Sequence, residues 1–306
     1  MWQPLLKDSL SGNIKALARI ISFIENEQPG YQQLMKTLPT DSDGRIIGIT
    51  GPPGAGKSTL VDSLIKEIVA QNLKVAVLCI DPSSPFNLGA LLGDRIRMSQ
   101  WYTHPDVYIR SLATRGSMGG LHPMIIEITE VLKAVAFDYI IVETVGIGQS
   151  EIEIAGLADT TVVVLVPESG DEVQTMKAGL MEIADIFVVN KSDRPGADAF
   201  VKNLQLMLAP AFHNKKREVP VLKTVASEHD GINDLFQQIR EKEGHKQYNE
   251  RKYWLLAEKA CQLIQQYRMK DINKRIIRQK LETVTGKNFN LYSFVHDYLE
   301  KNINQQ

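Results

Sequence analysis

The feature that most constrains this chain is the stretch RIIGITGPPGAGKST at residues 45–59. A short apolar run, Ile46-Ile47-Gly48-Ile49, reads as a buried strand. It passes directly into Gly51-Pro52-Pro53-Gly54-Ala55-Gly56-Lys57-Ser58-Thr59 at the head of a helix-like segment. Glycines at this spacing let a backbone wrap closely around an anion, with loop amides and the positive end of the helix dipole aimed at it. Lys57 is then placed to reach the outer phosphates of a nucleotide, and the Ser58 hydroxyl to hold Mg²⁺. A plain glycine-rich turn needs no such set of filled positions between a strand and a helix.

The rest of the chain supplies the frame such a loop requires. From 44 to 245, apolar runs alternate with helix-like segments: Val75–Ile80, Val107–Ile109, Tyr139–Val142, Thr161–Val166, Ile186–Val189 and Val219–Val225 follow the first strand. Continuous Val/Ile runs separated by helices imply an α/β fold with a mainly parallel sheet covered by helices on both faces, its ligands bound at the carboxyl ends of the strands. Residues 1–43 read as an N-terminal helical extension. In it Ile14, Leu17, Ala18, Ile21 and Ile24 recur at three- and four-residue spacing, Pro29-Gly30 ends the run, and the helices are expected to pack on the outside of the next domain. Residues 246–306 read as a C-terminal helical arm with an apolar stripe at Tyr253, Leu256, Ala260, Leu263 and Tyr267 and a second beginning at Leu291, Val295 and Tyr298. That stripe packs either on its own domain or across a two-chain interface.

Composition closes off several function classes. A formal net charge of −1 gives no general attraction to nucleic acid or to an anionic membrane. No 18-residue apolar run occurs and MWQPLLKDSLSGNIK lacks a signal-peptide pattern, so a cytoplasmic protein is expected. Cys79 and Cys261 fit reduced thiols, and together with His104, His122 and His213 they show no metal-ligand spacing, which argues against a nickel-delivery role.

Polar clusters follow the strands where a nucleotide would lie. Asn190-Lys191-Ser192-Asp193 follows Ile186–Val189, and a carboxylate from Asp193 can accept from both the ring N–H and the exocyclic amine of guanine. Adenine lacks that donor pair, so the motif selects GTP. Val225-Ala226-Ser227, after a later strand, can offer backbone amides to the guanine carbonyl. Glu143, closing Tyr139–Val142, can serve in the metal's outer shell or orient water, and the Gly146 amide can bond a γ-phosphate. Ile147 stands where a Ras-type GTPase carries a water-orienting Gln, so slow intrinsic hydrolysis accelerated by a partner is expected. Asp81 and Asp94 bracket a glycine-containing loop, and either is an inner- or outer-sphere ligand for Mg²⁺ or a turn residue; as ligands they make the loop a switch. In the segment that begins at Gly170, Val173, Met176, Leu180 and Ile183 share one helical face, leaving Glu172, Gln174 and Lys177 to solvent or a partner.

These residues resemble the MeaB/ArgK family of P-loop GTPases, the GTPase chaperones of adenosylcobalamin-dependent methylmalonyl-CoA mutase. The resemblance is carried by GPPGAGKST (51–59), DPSSPF (81–86), LLGDRIRM (91–98), RGSMGGL (115–121), ETVGIGQSE (143–151), GDEVQTMKAGLMEIADIFVVNKSD (170–193) and ALARIISFIEN (16–26). It implies a homodimeric GTPase, its C-terminal arm used for dimerisation, that binds an acyl-CoA mutase, gates delivery of intact adenosylcobalamin and guards the mutase against inactivation. A cobalamin adenosyltransferase is a further implied partner. By the same resemblance Lys57 and Ser58 take phosphate and Mg²⁺. Asp81, Asp94 and Glu143 form the metal and hydrolysis cluster, with Lys57, Asp94 and Glu143 catalytic, and Asp193 reads guanine. Asp171, Glu172, Gln174 and Lys177 match the family's third, partner-sensing switch. Two departures stand out. Asn87-Leu88-Gly89 replaces a Thr-Gly-Gly of the first switch, and Val225-Ala226-Ser227 replaces a Ser-Ala-Leu guanine turn. No cobalamin-binding Asp-x-His-x-x-Gly signature is present, so the cofactor is expected to stay on the partner. The rivals are a P-loop kinase acting on a small molecule or transport protein, which need not prefer guanine, and a purely scaffolding protein.

Overall fold

Seven strands pair side by side in one parallel sheet of order β3-β2-β4-β1-β5-β6-β7. They are β1 (Arg45–Thr50), β2 (Val75–Asp81), β3 (Val107–Ala113), β4 (Tyr139–Glu143), β5 (Thr160–Leu165), β6 (Ile186–Asn190) and β7 (Val221–Thr224). A computed structural model describes residues 2–81, 98–115, 121–146, 150–169, 182–212, 219–243, 250–269, 272–284 and 289–303. The expected α/β sheet is therefore the observed one; its five inner strands are buried along nearly their whole length, and the edge strands β3 and β7 are partly open.

The two-residue period of a strand divides the core. Ile47, Ile49, Val75, Val77 and Ile141 face α4 (Lys57–Ala70) and α8 (Ile232–Glu243), packing on Leu60, Leu64, Ile68 and Phe236. Ile46, Leu78, Ile80, Ile140 and Val142 face the opposite way. There they meet α5 (Ile125–Ala134), α6 (Ser150–Leu157) and, in the same continuous cluster, the amino-terminal helices α1 (Gln3–Leu10), α2 (Ile14–Glu25) and α3 (Tyr31–Lys36). A third cluster joins Val163, Leu165, Phe187 and Val189 to α7 (Ala197–Phe212). Helix α2 starts where Asn13 accepts hydrogen bonds from the Lys15 and Ala16 amides, and it fully buries Leu17, Ile20, Ile21 and Ile24. The amino-terminal helices thus share the core of the sheet.

Strand β3 runs four residues past the expected Val107–Ile109. Its continuation opens with the polar Arg110-Ser111 and ends with the buried Leu112-Ala113; among the described residues it is an edge strand paired to β2, and Arg110 reaches Ser22 and Glu25 at the end of α2. Arg115, in the left-handed region at φ 49°, adds bonds to the Glu25 carboxylate, the Glu25 carbonyl and Asn26.

One device recurs three times along the amino edge of the sheet. Asp159 donates its amide to the Ile46 carbonyl at 2.8 Å and accepts the Ile46 amide on its carboxylate at 2.9 Å. Asp185 does the same to Thr161, at 2.9 Å both ways, and Asp138 to Lys74, at 3.0 and 2.7 Å. Each Asp immediately precedes a strand and holds a residue at the start of its neighbour, so each clamp sets the register of one parallel pair. Parallel pairing is specified by no tight turn, and a one-residue slip would exchange the side chains of the two packed faces of a strand.

The chain divides into two units, Met1–Leu255 and Leu256–Gln306. In the second, α10 (Lys274–Val284) and α11 (Leu291–Ile303) are joined by the Lys280 ammonium, 4.6 Å from the centre of the Tyr298 ring, and Phe294 contacts Phe289 and Tyr298. No side chain of α9 (Glu250–Arg268) or α10 is buried. Among the described residues no helix is long and apolar enough to cross a membrane; Cys79 is buried in β2 and Cys261 is exposed on α9.

Asp159 is exposed, yet it contributes a charged acceptor to a backbone amide. Asp159→Ala is expected to lower the unfolding free energy by about 1–2 kcal/mol, seen as a lower urea midpoint at unchanged m-value. A midpoint equal to that of the parent would show that the clamp contributes nothing.

Candidate functional site

Strand β1 lies between β4 and β5 at the point where the connections of the sheet diverge, which is where an open parallel sheet leaves a crevice. The loop that leaves it returns into α4, with Lys57 and Ser58 in the first turn of the helix. Lys57 is 7% exposed, and its ammonium donates to the carbonyls of Gly51 at 2.9 Å and Pro52 at 3.1 Å, with a longer contact of 3.5 Å to Val145. A buried cation needs this kind of company. Lys57 is thereby held at the mouth of the loop, between the ends of β1 and β4.

The β4 end supplies the acid. Glu143 is buried and accepts the Ser58 hydroxyl at 2.6 Å. Asp81, also buried, ends β2, whose Cys79 is in register with Glu143, so Asp81 lies two residues further along the neighbouring strand. Thr144 and Thr50, both buried, share a hydroxyl–hydroxyl bond of 2.9 Å that ties the ends of β4 and β1 together. Gly146, at φ 85°, crosses so close to the loop that a Cβ would lie 2.1 Å from the Gly51 carbonyl oxygen. Only a glycine fits there.

A hydroxyl and carboxylates are the hard oxygen donors that Mg²⁺ takes when most of its shell is water and phosphate. Ser58 can keep donating to Glu143 while its oxygen faces a metal, which makes Glu143 an orienting acceptor behind the ligand.

The other end of the crevice is held by Asn190, which is 2% exposed. Its amide nitrogen donates to the Ala55 carbonyl at 2.9 Å. Its amide oxygen accepts from the Thr224 hydroxyl and the Ala226 amide, both at 3.1 Å. One side chain thus joins the phosphate loop, the end of β6 and the turn after β7. Gly56 makes room for it, since a Cβ there would meet the Asn190 nitrogen at 2.4 Å. Lys191, at φ 57°, lays its ammonium on the Gly54 carbonyl at 2.7 Å. Asp193 and Ser227 are exposed, while Val225 and Ala226 are buried, and the Ser63 hydroxyl donates to the Ala226 carbonyl at 2.7 Å.

The structure therefore gathers 51–59, Asp81, Glu143, Gly146, Asn190, Lys191, Asp193 and 225–227 along one edge of the sheet. Asp94, Ile147, Asp171, Glu172, Gln174 and Lys177 lie outside the described residues, as do Asn87-Leu88-Gly89. Thr50 and Thr224, which the sequence reading passed over, belong to the site's frame. Their only sequence signal is a hydroxyl at the carboxyl end of a strand.

Similarity searches agree with this geometry. A candidate GTPase of Pyrococcus abyssi is 48% identical over 287 residues, covering 92% of this chain and 87% of that one. A fused isobutyryl-CoA mutase of Geobacillus kaustophilus is 36% identical over 242 residues, covering 74% of this chain but 22% of that one. The crystal structure of an LAO/AO transport system kinase superposes with a TM-score of 0.66 at 25% identity, covering 100% of this chain and 98% of that one. The family model described as methylmalonyl-CoA mutase-associated GTPase MeaB matches residues 17–281. With its phosphate loop and its buried Lys57–Ser58–Glu143 cluster, the chain belongs to the MeaB family and is a GTP-binding, GTP-hydrolysing P-loop GTPase.

Proposed function

We propose that this GTPase acts as a nucleotide-controlled chaperone of an adenosylcobalamin-dependent acyl-CoA mutase, gating cofactor loading and protecting the mutase from inactivation. The observation that carries the reading is the alignment of three quarters of this chain with about a fifth of a fused isobutyryl-CoA mutase. In that polypeptide a segment similar to this GTPase and a mutase are one chain, and the family description names a mutase as associate. Methylmalonyl-CoA and isobutyryl-CoA mutases are the first candidates, and a cobalamin adenosyltransferase is a further partner. The setting is cytoplasmic.

In this reading Mg²⁺ is held by Ser58, with Asp81 and Asp94 near it and Glu143 behind the hydroxyl. The ion would neutralise charge developing between the outer phosphates. Lys57 neutralises the outer phosphates from the loop side, and Gly146 places its amide close to them. Asp193 takes the two donors of guanine. Asp171, Glu172, Gln174 and Lys177 form the surface that senses the mutase. Unaided turnover is slow, since Ile147 brings no group that could align water. The nucleotide-binding domain spans 44–245, flanked by the helices of 1–43 and the arm of 246–306.

The arm is the dimerisation element. Tyr253, Leu256, Leu263, Tyr267, Leu291 and Tyr292 are all at least 36% exposed, more apolar surface than a soluble helical segment commonly leaves open. The kinase alternative keeps one observation in its favour, the superposition on a transport system kinase.

Asp193→Asn is expected to weaken GDP binding by about tenfold or more and to leave ATP binding as it was, because a lost charged acceptor costs about 1.5–3 kcal/mol. Equal ATP and GTP affinity in the parent chain would instead favour the kinase. Sedimentation is expected to give a dimer that Leu263→Glu with Tyr267→Glu turns into a folded monomer; a parent chain that sediments as a monomer would remove the arm's role. Titration of the chain into methylmalonyl-CoA and isobutyryl-CoA mutases, with and without a non-hydrolysable GTP analogue, is expected to give a nucleotide-dependent complex with one of them and at least tenfold faster GTP turnover in it. Equal binding in all nucleotide states, or unchanged turnover, would sink the chaperone reading.

A further inference from the structure

Glu168 lies in a single 3-10 turn, Pro167–Ser169, at the carboxyl end of β5, and Arg194 is the residue directly after Asp193. Their side chains form an ion pair across the crevice edge between adjacent strands, since β5 pairs with β6. The hydrogen bond from the Arg194 guanidinium holds the Glu168 carboxyl below the usual carboxylate range, so it is ionised at neutral pH.

The turn that carries Asp193 is well tethered on the side of β6. Asn190 and Lys191 reach the phosphate loop, and the Ser192 amide donates to the Thr224 carbonyl at 3.1 Å. Beyond Asp193 the chain passes through exposed Pro195 and Gly196 before α7 begins at Ala197. Arg194 is the first side-chain tether on that far side, and it closes the turn as well, its amide donating to the Lys191 carbonyl at 3.1 Å. A carboxylate that must meet two donors of one base at once depends on direction, because hydrogen bonds weaken steeply as they bend. Asp193 is exposed, so its direction comes from the backbone on either side of it.

We infer that the Glu168–Arg194 ion pair is a positioning device for guanine recognition: it aims the Asp193 carboxylate at the exocyclic amine of the base and so sets the preference for guanine over hypoxanthine nucleotides. The inference rests on the reading of Asp193 as the base acceptor. Both side chains are about half exposed, at 46% and 52%, so replacing them leaves the core intact.

The test uses the full chain with GDP and IDP, which differ only in that exocyclic amine, and measures both affinities by displacement of a fluorescent nucleotide. Glu168→Gln and Arg194→Gln are each expected to reduce the GDP-over-IDP preference by about threefold at low salt, the scale of a single exposed ion pair. The double Gln variant is expected to match either single one. The exchanged pair Glu168→Arg with Arg194→Glu is expected to recover most of the preference, and the effect shrinks in 0.5 M salt. A purely structural pair would lower the melting temperature and leave the preference unchanged. That outcome, or single effects that add in the double variant, overturns the inference. Asp193→Asn separates the two readings. If it abolishes the preference while the pair variants do not, only the positioning role fails; if it leaves the preference intact, the base-acceptor reading fails and this inference with it.

Discussion

A lysine ammonium buried among backbone carbonyls is the constraint on which the site depends. Lys57 is buried, and the carbonyls of Gly51 and Pro52 accept from its ammonium in place of water. They can do so only because the loop doubles back within reach of its own helix and because Gly146 lets the end of β4 pass against it. The close approach of two backbones is therefore part of the chemistry. Any side chain at Gly146 would push on the Gly51 carbonyl and on the ammonium together.

That closeness needs strand ends that come out level. Ser58 meets Glu143 at 2.6 Å across two elements 85 residues apart in sequence, and Asn190 meets Ala55 across 135. Such distances tolerate no slip between strands of more than a fraction of a residue. The three Asp clamps supply the alignment from the far edge, each fixing the first pairing of two neighbours. The site is thus assembled from the side of the sheet opposite to it.

Much of this was legible in the sequence. Apolar runs bounded by polar clusters marked seven strands, and the spacing of Gly51, Gly56, Lys57 and Ser58 marked the loop, because both patterns are local. What stayed hidden was non-local. Asp138, Asp159 and Asp185 each look like an isolated turn residue, since the amide each holds lies on another strand. Arg110 and Ser111 interrupt the apolar pattern of β3, and Ser22 and Glu25 on α2 account for Arg110 there. Asn190 could be read as part of a base-recognition motif, but not as the link from the phosphate loop to the turn after β7. The amino-terminal helices showed their apolar stripe plainly, though nothing in that stripe said that it joins one continuous core with a face of the sheet and the helix Ile125–Ala134.

The three-way reach of Asn190 has a mechanical meaning for the whole crevice. Its two ends, where triphosphate and base would rest, are not separate fittings on a common board. A single planar amide spans them, and its donor and acceptor atoms cannot be displaced one without the other. A displacement of the Ala55 carbonyl would carry the acceptor of the Ala226 amide with it within the length of one side chain, a connection that bypasses the sheet.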